Sequence, residues 1–383
     1  MNRTVEIVGV GWSGFRSLTP DQSYKELVFE AALRAYADAG IDPRRDVQGF
    51  VTAAEDYHEG TSIYDEYTPD QLGAAQRPMH TIGGDGLHAL AAAYMQIASG
   101  LMDVVVVEAH SKASNILSLP HIVAFAEDPT FERPLALHPV ALAGLEMQGL
   151  ISLGRITEEQ CAAVVVKNKR NALRNPSAAH GTEVGPEEVL SSPPLASPLT
   201  SLMAAPHADG ALVFVLADTE RARTLKGEPV RVRGVGWATD TPALDSRDWT
   251  GARYARKAAQ MAYRIAGVQT PGQEIDFAEV DDSFAHKELL HLEALGLVPS
   301  GRAGEWTLEG QTACSGSIPV NVSGGALGEG SLLDATGLSR ALEVVLQLRG
   351  QAGPRQLPGV TTGLAFAWRG LPTAVGVAAV LSA

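Results

Sequence analysis

Asp85 and His88 stand one helical turn apart, directly after the glycines Gly83 and Gly84 and at the start of the small-residue run LHALAAAYMQIASG. Spaced this way, both side chains fall on one face of a helix's first turn, where a carboxyl and an imidazole could pass a proton to and from a bound substrate. The same two residues also describe a carboxylate matched to the helix dipole beside a core histidine. Asp281 and Asp282 end an apolar strand. Strand ends in α/β proteins point into clefts, so a carboxyl there can act as acid or base. His110, after the apolar strand DVVVVEA, is read first as a structural hydrogen-bonding group and only second as a site residue. His286, Lys287 and His291 are expected on a half-exposed helix face. Tyr57, Tyr64 and Tyr67, in an acidic aromatic stretch, fit a dimer edge or a pocket wall. Cys161 and Cys314 are too few and too far apart for a disulfide framework or a zinc site, so no metal is expected. Nothing near Cys314 would activate its thiol.

The elements that must position these residues alternate in type. VEIVGVGWSGF is a short apolar strand running into Gly9, Gly11 and Gly14, where the backbone is expected to turn, and a helix follows through Tyr24, Leu27, Val28, Ala31 and Ala35, stopped by Gly40 and Pro43. The Ala-rich run after Gly84 is expected to be a helix buried on all sides. DVVVVEA reads as a doubly buried strand. From about Leu117 to Pro198 the pattern weakens into proline-bearing loops around one clear helix, TEEQCAAVVVKNKRNAL, as an insertion would. ADGALVFVLAD restores the strand signal, and RVRGVGWATD begins a second series in the same order: glycine loop, helix, two apolar strands. An internal duplication of a βαβ-based unit follows, with an N-terminal half at 1–225 (insertion about 117–198) and a C-terminal half at 226–383.

In the 383-residue chain, 45% hydrophobic and 19% charged residues supply a large core. A net charge of −14 argues against a nucleic-acid partner, which would need a basic surface. No apolar run is long enough to span a bilayer and the polar start is unlike a signal peptide, so a cytoplasmic protein is expected, without membrane contact.

Along nearly its whole length the chain resembles the thiolase superfamily, in the branch of sterol-carrier-type and archaeal thiolases. IVGVGWSGF resembles the family's opening strand, DAGIDPRRDVQGFVTA its first helix end and second strand, and ADGALVFVLA the strand after its loop domain. EVDDSFAHKELLHLEALGL is similar to the histidine-aspartate-cysteine-phenylalanine segment. PVNVSGGALGEGSLLDATG is similar to the asparagine-x-serine-glycine-glycine stretch that leads into glycine-histidine-proline. This likeness implies a duplicated α/β fold in five layers, α/β/α/β/α, with an inserted loop domain.

It also implies what the site has lost. The family's nucleophilic cysteine starts a buried helix, where the dipole favours its thiolate, and in this register Gly83 stands there. Asp281 and Ser331 take the places of two catalytic histidines, and Ala367 takes that of the last acid/base, followed by the new bulk of Trp368 and Arg369. Asp282 matches the family's own aspartate, a structural group. Ser323, Gly324 and Gly325 match the loop that lines the pantetheine channel, so a coenzyme A thioester is the implied ligand, with no covalently bound cofactor. Two functions are compatible with this pattern. One is an acyl-CoA carbon–carbon lyase or aldolase that stabilises an enolate, with Asp281, Ser331, Asp85 and His88 as working groups. The other is an inactive subunit that binds acyl-CoA or stabilises an active thiolase paralogue. The resemblance further implies a homodimer and a small OB-fold/zinc-ribbon partner.

Overall fold

A computed structural model of the chain describes residues 3–55, 63–116, 119–241, 243–370 and 373–383. Tyr57 therefore lies outside the described residues. Nine strands form one sheet: β1 (Val5–Trp12), β2 (Gly49–Ala53), β3 (Met79–Ile82), β4 (Val104–Lys112), β5 (Asp209–Asp218), β6 (Val230–Thr239), β7 (Phe277–Glu279), β8 (Thr362–Trp368) and β9 (Val375–Ser382). Their order across the sheet is β3-β2-β4-β5-β1-β6-β9-β8-β7.

The pairing repeats itself. β1 runs antiparallel to β5, β5 antiparallel to β4, and β4 parallel to β2. In the second series β6 runs antiparallel to β9, β9 antiparallel to β8, and β8 parallel to β7. Even β3, parallel to β2, has a counterpart in the parallel bridge between Ala278 and Val320. The two runs join edge to edge through a short antiparallel ladder, Val5–Ile7 on Val230–Val232.

Helices cover both faces. α1 (Tyr24–Ala39) begins with a capping box in which the Ser23 N–H donates to Glu26 Oε2 at 2.6 Å, and it ends on Gly40 at φ 70°. It packs so closely on β1 that a Cβ on Gly9 or Gly11 would lie 2.6 Å or 2.2 Å from the carbonyls of Ala35 and Ala31. The second series repeats this contact: α5 (Arg253–Ala266) approaches β6 so that Gly234 and Gly236 would meet the Ala262 and Ala258 carbonyls at 2.4 Å and 2.2 Å. The tetrapeptide GVGW occurs at both places, residues 9–12 and 234–237, because each strand needs glycine where a helix lies against it.

Between the outer helices, α2 (Gly86–Ala98) and α8 (Thr336–Leu348) form the central layer. α2 touches strands of both series and α8 itself. Along β4, Val105 and Val107 pack with the central helices while Val104 and Val106 pack with α1. Along β9, Ala379 and Leu381 face the central layer while Ala378 and Val380 face α5. This alternation makes five layers, as the sequence implies. The expectation of a helix buried all round is corrected for α2: Ala89, Leu90 and Ala93 are buried, but Met95 is 47% exposed.

Between β4 and β5 run α3 (Pro139–Ser152) and α4 (Glu158–Ala172), the latter with a Thr157–Gln160 capping box. α4 packs on α6 (Ala285–Ala294) and α7 (Gly325–Glu329), so the 113–208 segment lies against the second series. Among the described residues no helix is long and apolar enough to cross a membrane.

Candidate functional site

A cavity of about 410 Å³ opens where β2, β7 and β8 end. Glu55 lies just past β2, Asp281 just past β7, and Trp368 and Arg369 at the end of β8. Ser331, Asp334 and Thr336, at the approach to α8, complete the polar side, and the segment before β5 supplies an apolar roof that includes Ile116, Val123 and Val140. This is the carboxyl-end crevice where α/β sheets bind ligands.

Asp281 is 1% exposed. Its carboxyl accepts the Ser283 N–H and hydroxyl, both at 3.1 Å, and its carbonyl accepts the His291 Nδ1–H at 2.9 Å. Burial raises this carboxyl above the usual aspartate range, against the opposing hydrogen bonds of Ser283 and the more distant Arg340 and Lys287 charges. Ser331 lines the same cavity, with its backbone held on both sides: its N–H donates to the Pro206 carbonyl (2.7 Å) and its own carbonyl accepts from Ala208 (2.9 Å). The structure therefore brings Asp281 and Ser331 together. Trp368 and Arg369, the bulk noted beside Ala367, line the cavity too, with the Arg369 guanidinium paired to Glu55. Ala367 itself is buried in the core.

Asp85 and His88 are placed differently. Neither is among the cavity's lining residues. Asp85 caps two helices at once, its Oδ1 accepting from Leu87 in α2 and its Oδ2 from Gly337 in α8, each at 2.8 Å. Burial pushes this carboxyl up to about 8, the two N–H donors opposing and the neighbouring Asp334 and Asp281 reinforcing the shift. Burial likewise pushes the His88 imidazole down to about 4, so it is neutral at pH 7, and its buried Nδ1 has no hydrogen-bond partner. Gly83 is exposed, and a Cβ built on it would meet no atom within 4 Å.

Ser323, Gly324 and Gly325 also lie apart from the cavity lining. The Ser323 hydroxyl donates to Glu279 at 2.6 Å, within a buried cluster where Arg340 pairs with Glu279 and Glu329. A Cβ on Gly324 would strike Ala172, and one on Gly325 would sit 2.1 Å from Asp282. Asp282 caps α7, accepting from Ala326 at 2.5 Å and Leu327 at 3.2 Å, in keeping with a structural aspartate. The glycines here serve close packing.

The largest correction concerns α6. His286, Lys287 and His291 are not on a half-exposed face; all three are at most 1% exposed. The first two meet Glu146, on α3: Lys287 Nζ lies 2.7 Å and His286 Nε2 2.9 Å from its carboxylate. Against burial, which raises it, the Lys287 charge holds Glu146 down at about 2. Burial pushes His291 down to about 3, so it is neutral. Its Nδ1–H is fixed by the Asp281 carbonyl, and Nε2 accepts the Tyr254 hydroxyl at 3.0 Å, while Lys287 donates to the same hydroxyl at 3.3 Å. A directed chain of hydrogen bonds thus runs from Lys287 through Tyr254 and His291 to the backbone of Asp281. One signal could have exposed it: Glu146 is the single charge in the apolar helix PVALAGLEMQGLIS, which marks a buried partner.

The remaining candidates lie away from the cavity lining. His110 Nδ1 lies 2.8 Å from Glu108, and its ring stacks on Tyr24. Tyr64 packs edge-on to the same two rings, Tyr67 is exposed, and neither lines the cavity. Burial raises the Cys314 thiol, which donates to Asn171 at 3.3 Å.

Residues 236–382 match the family described as "Thiolase C-terminal domain-like". The chain is 34% identical over 371 residues to the acetyl-CoA acetyltransferase of Methanothermobacter thermautotrophicus, covering 94% of this chain and 95% of that protein. It is 30% identical to sterol carrier protein 2 of Homo sapiens, over 94% of this chain and 69% of the relative. It is also 30% identical to the 17-hydroxy-3-oxo-4-pregnene-20-carboxyl-CoA lyase of Mycobacterium tuberculosis, over 96% and 97%. Among solved structures, the "Ltp2-ChsH2(DUF35) aldolase" superposes with a TM-score of 0.85 at 24% identity, covering 99% of this chain and 98% of that one.

Proposed function

The chain belongs to the thiolase superfamily, in its sterol-carrier-like branch, and from that premise we propose that it cleaves or forms a carbon–carbon bond in acyl-CoA thioesters without a covalent intermediate. It is then a retro-aldol lyase, not an acyl-transferring thiolase. One observation carries this reading: the nucleophile's position is a glycine facing open space, while Asp281 and Ser331 line a common cavity of about 410 Å³.

In this mechanism a β-hydroxyacyl thioester enters the cavity and Asp281 takes the β-hydroxyl proton. The oxygen's electrons form the carbonyl, the Cα–Cβ bond breaks, and its pair becomes the thioester enolate, which recovers the proton at Cα. Ser331 donates a hydrogen bond to the enolate oxygen. The upward shift of Asp281 suits a group that must both accept and return a proton. Asp85 acts as a double helix cap, His88 as a packing residue, and the Ser323–Gly325 loop as scaffold.

A homodimer through β3 and a small OB-fold/zinc-ribbon partner belong to the same proposal. Supporting them are the place of β3 as a terminal strand of the sheet and the solved neighbour, itself titled as a complex with a DUF35 protein. So does the division of the chain at 225/226 with an inserted 117–198 segment, which the repeated strand order supports. A second reading, an inactive acyl-CoA-binding subunit of a thiolase or OB-fold complex, draws support from Ser283 engaging both oxygens of Asp281, as it would in a purely structural carboxyl.

The test is cleavage of β-hydroxyacyl-CoA by the protein purified with its co-expressed partners, read as release of the carbonyl product. Asp281→Asn is expected to slow it about 100-fold or more, and Ser331→Ala about 100-fold. Cleavage that persists in Asp281→Asn, or an acyl adduct detected by mass spectrometry, overturns the lyase reading.

A further inference from the structure

Trp368 ends β8 and lines the main cavity, yet it is 4% exposed and its buried Nε1 has no hydrogen-bond partner. Phe284, which also lines that cavity, packs edge-on against the indole at 6.5 Å, but two further neighbours do not line it. The Lys287 ammonium lies 4.0 Å from the ring centroid, and Tyr254 stacks on the indole at 6.4 Å with an interplanar angle of 18°. Lys287, Tyr254 and Glu146 line instead a second, small cavity of about 10 Å³, and Thr373 lines both. The indole therefore stands between the two spaces. A cation over an indole face attracts most strongly when water is excluded, and at 1% exposure burial lowers the pKa of the Lys287 ammonium while Glu146, 2.7 Å away, opposes that shift.

We propose that Trp368 is the partition that sets how long an acyl group the cavity takes, and that the buried Lys287–Glu146 pair holds it in place. The acyl half of this inference rests on the acyl-CoA reading above; the packing half does not. Removing the indole joins the main cavity to the space before Lys287 and Tyr254, so a longer apolar chain fits. Removing the ion pair frees the indole to move and relaxes the limit in the same direction.

Two measurements on the full chain test this. In protein labelled with 5-fluorotryptophan, the Trp368 resonance is assigned among the five tryptophans by its loss in Trp368→Phe. It is expected to shift in Lys287→Met and to the same place in Glu146→Gln/Lys287→Met, while Lys287→Arg, which keeps the cation, stays near the wild type. The double variant leaves no unpaired buried charge, which guards against loss of folding in the single one. The second measurement is calorimetric binding of straight-chain saturated acyl-CoAs from acetyl-CoA upward. Affinity is expected to rise about fourfold per buried methylene up to a limiting length, and Trp368→Ala and the double variant should move that limit several carbons further. An unchanged fluorine resonance in both ion-pair variants, or an unchanged limit in Trp368→Ala, overturns the inference. Failure of the acyl-CoA reading has another signature: no thioester binds any of the proteins, while the Trp368 resonance still shifts.

Discussion

A side chain at Gly83 would point into unoccupied space, and its φ is not in the left-handed region. Gly83→Cys is therefore expected to change stability by no more than about 0.5 kcal/mol, as an exposed substitution would. Gly337→Ala is the contrast. Its methyl would lie 1.8 Å from Asp85 Oδ1, and a loss of about 3 kcal/mol or more is expected. Thermal unfolding of the two variants checks both. At this scale GGDG stands before a helix as expected, and the motifs around Asp281 and Ser331 singled out two residues that line one cavity. Glu55 and Asp334 were not legible. The Glu55 N–H donates to Asp334 at 2.7 Å across 279 residues of chain, and no local pattern encodes so distant a contact.

Helix α6 shows why charge along an element misleads. AHKELLHLEA looks like a solvated face, but in the interior α3 supplies Glu146 to His286 and Lys287, β8 supplies Trp368 to Lys287, and Lys167 and Asn168 of α4 meet Glu288. A consequence is pH dependence. Half-buried His88 and buried His291 are neutral, desolvation holding them at about 4 and about 3, below the ordinary histidine value. The unfolded chain binds protons first, so the stability these two groups contribute is complete above about pH 6.5 and is lost as the pH falls toward their folded values. Each adds a slope of up to about 1.4 kcal/mol per pH unit. Urea unfolding between pH 7 and 5 is expected to show a shallower slope in His291→Asn, whose amide can still donate to the Asp281 carbonyl. The α7 start offers a second check. Gly325 sits at φ +61° against Asp282, so Gly325→Ala is expected to cost more than about 2 kcal/mol in the same measurement.

For the whole molecule, the repeated order of strand, helix, glycine loop and strand was readable from apolar runs and turn residues, whereas Gly9 and Gly11, expected to turn the backbone, lie inside β1 where α1 packs against it. What no run of residues revealed is how the halves join: edge to edge through three residues, with Ala89 and Leu90 of α2 packed in one core with Leu338 and Leu342 of α8. A fragment of residues 226–383 leaves that core open and is expected to unfold without a cooperative transition, as circular dichroism on heating would show. The carboxyl of Asp85 belongs to this scale too, since it takes up the leading N–H groups of both central helices. Those donors are what an oxyanion, or a thiolate placed beside them, would have drawn on. In this protein the donors at the head of the central layer are taken up from within, by a carboxyl that burial pushes up to about 8. A cysteine placed at residue 83 is consequently expected to remain an ordinary thiol unless position 85 is changed as well.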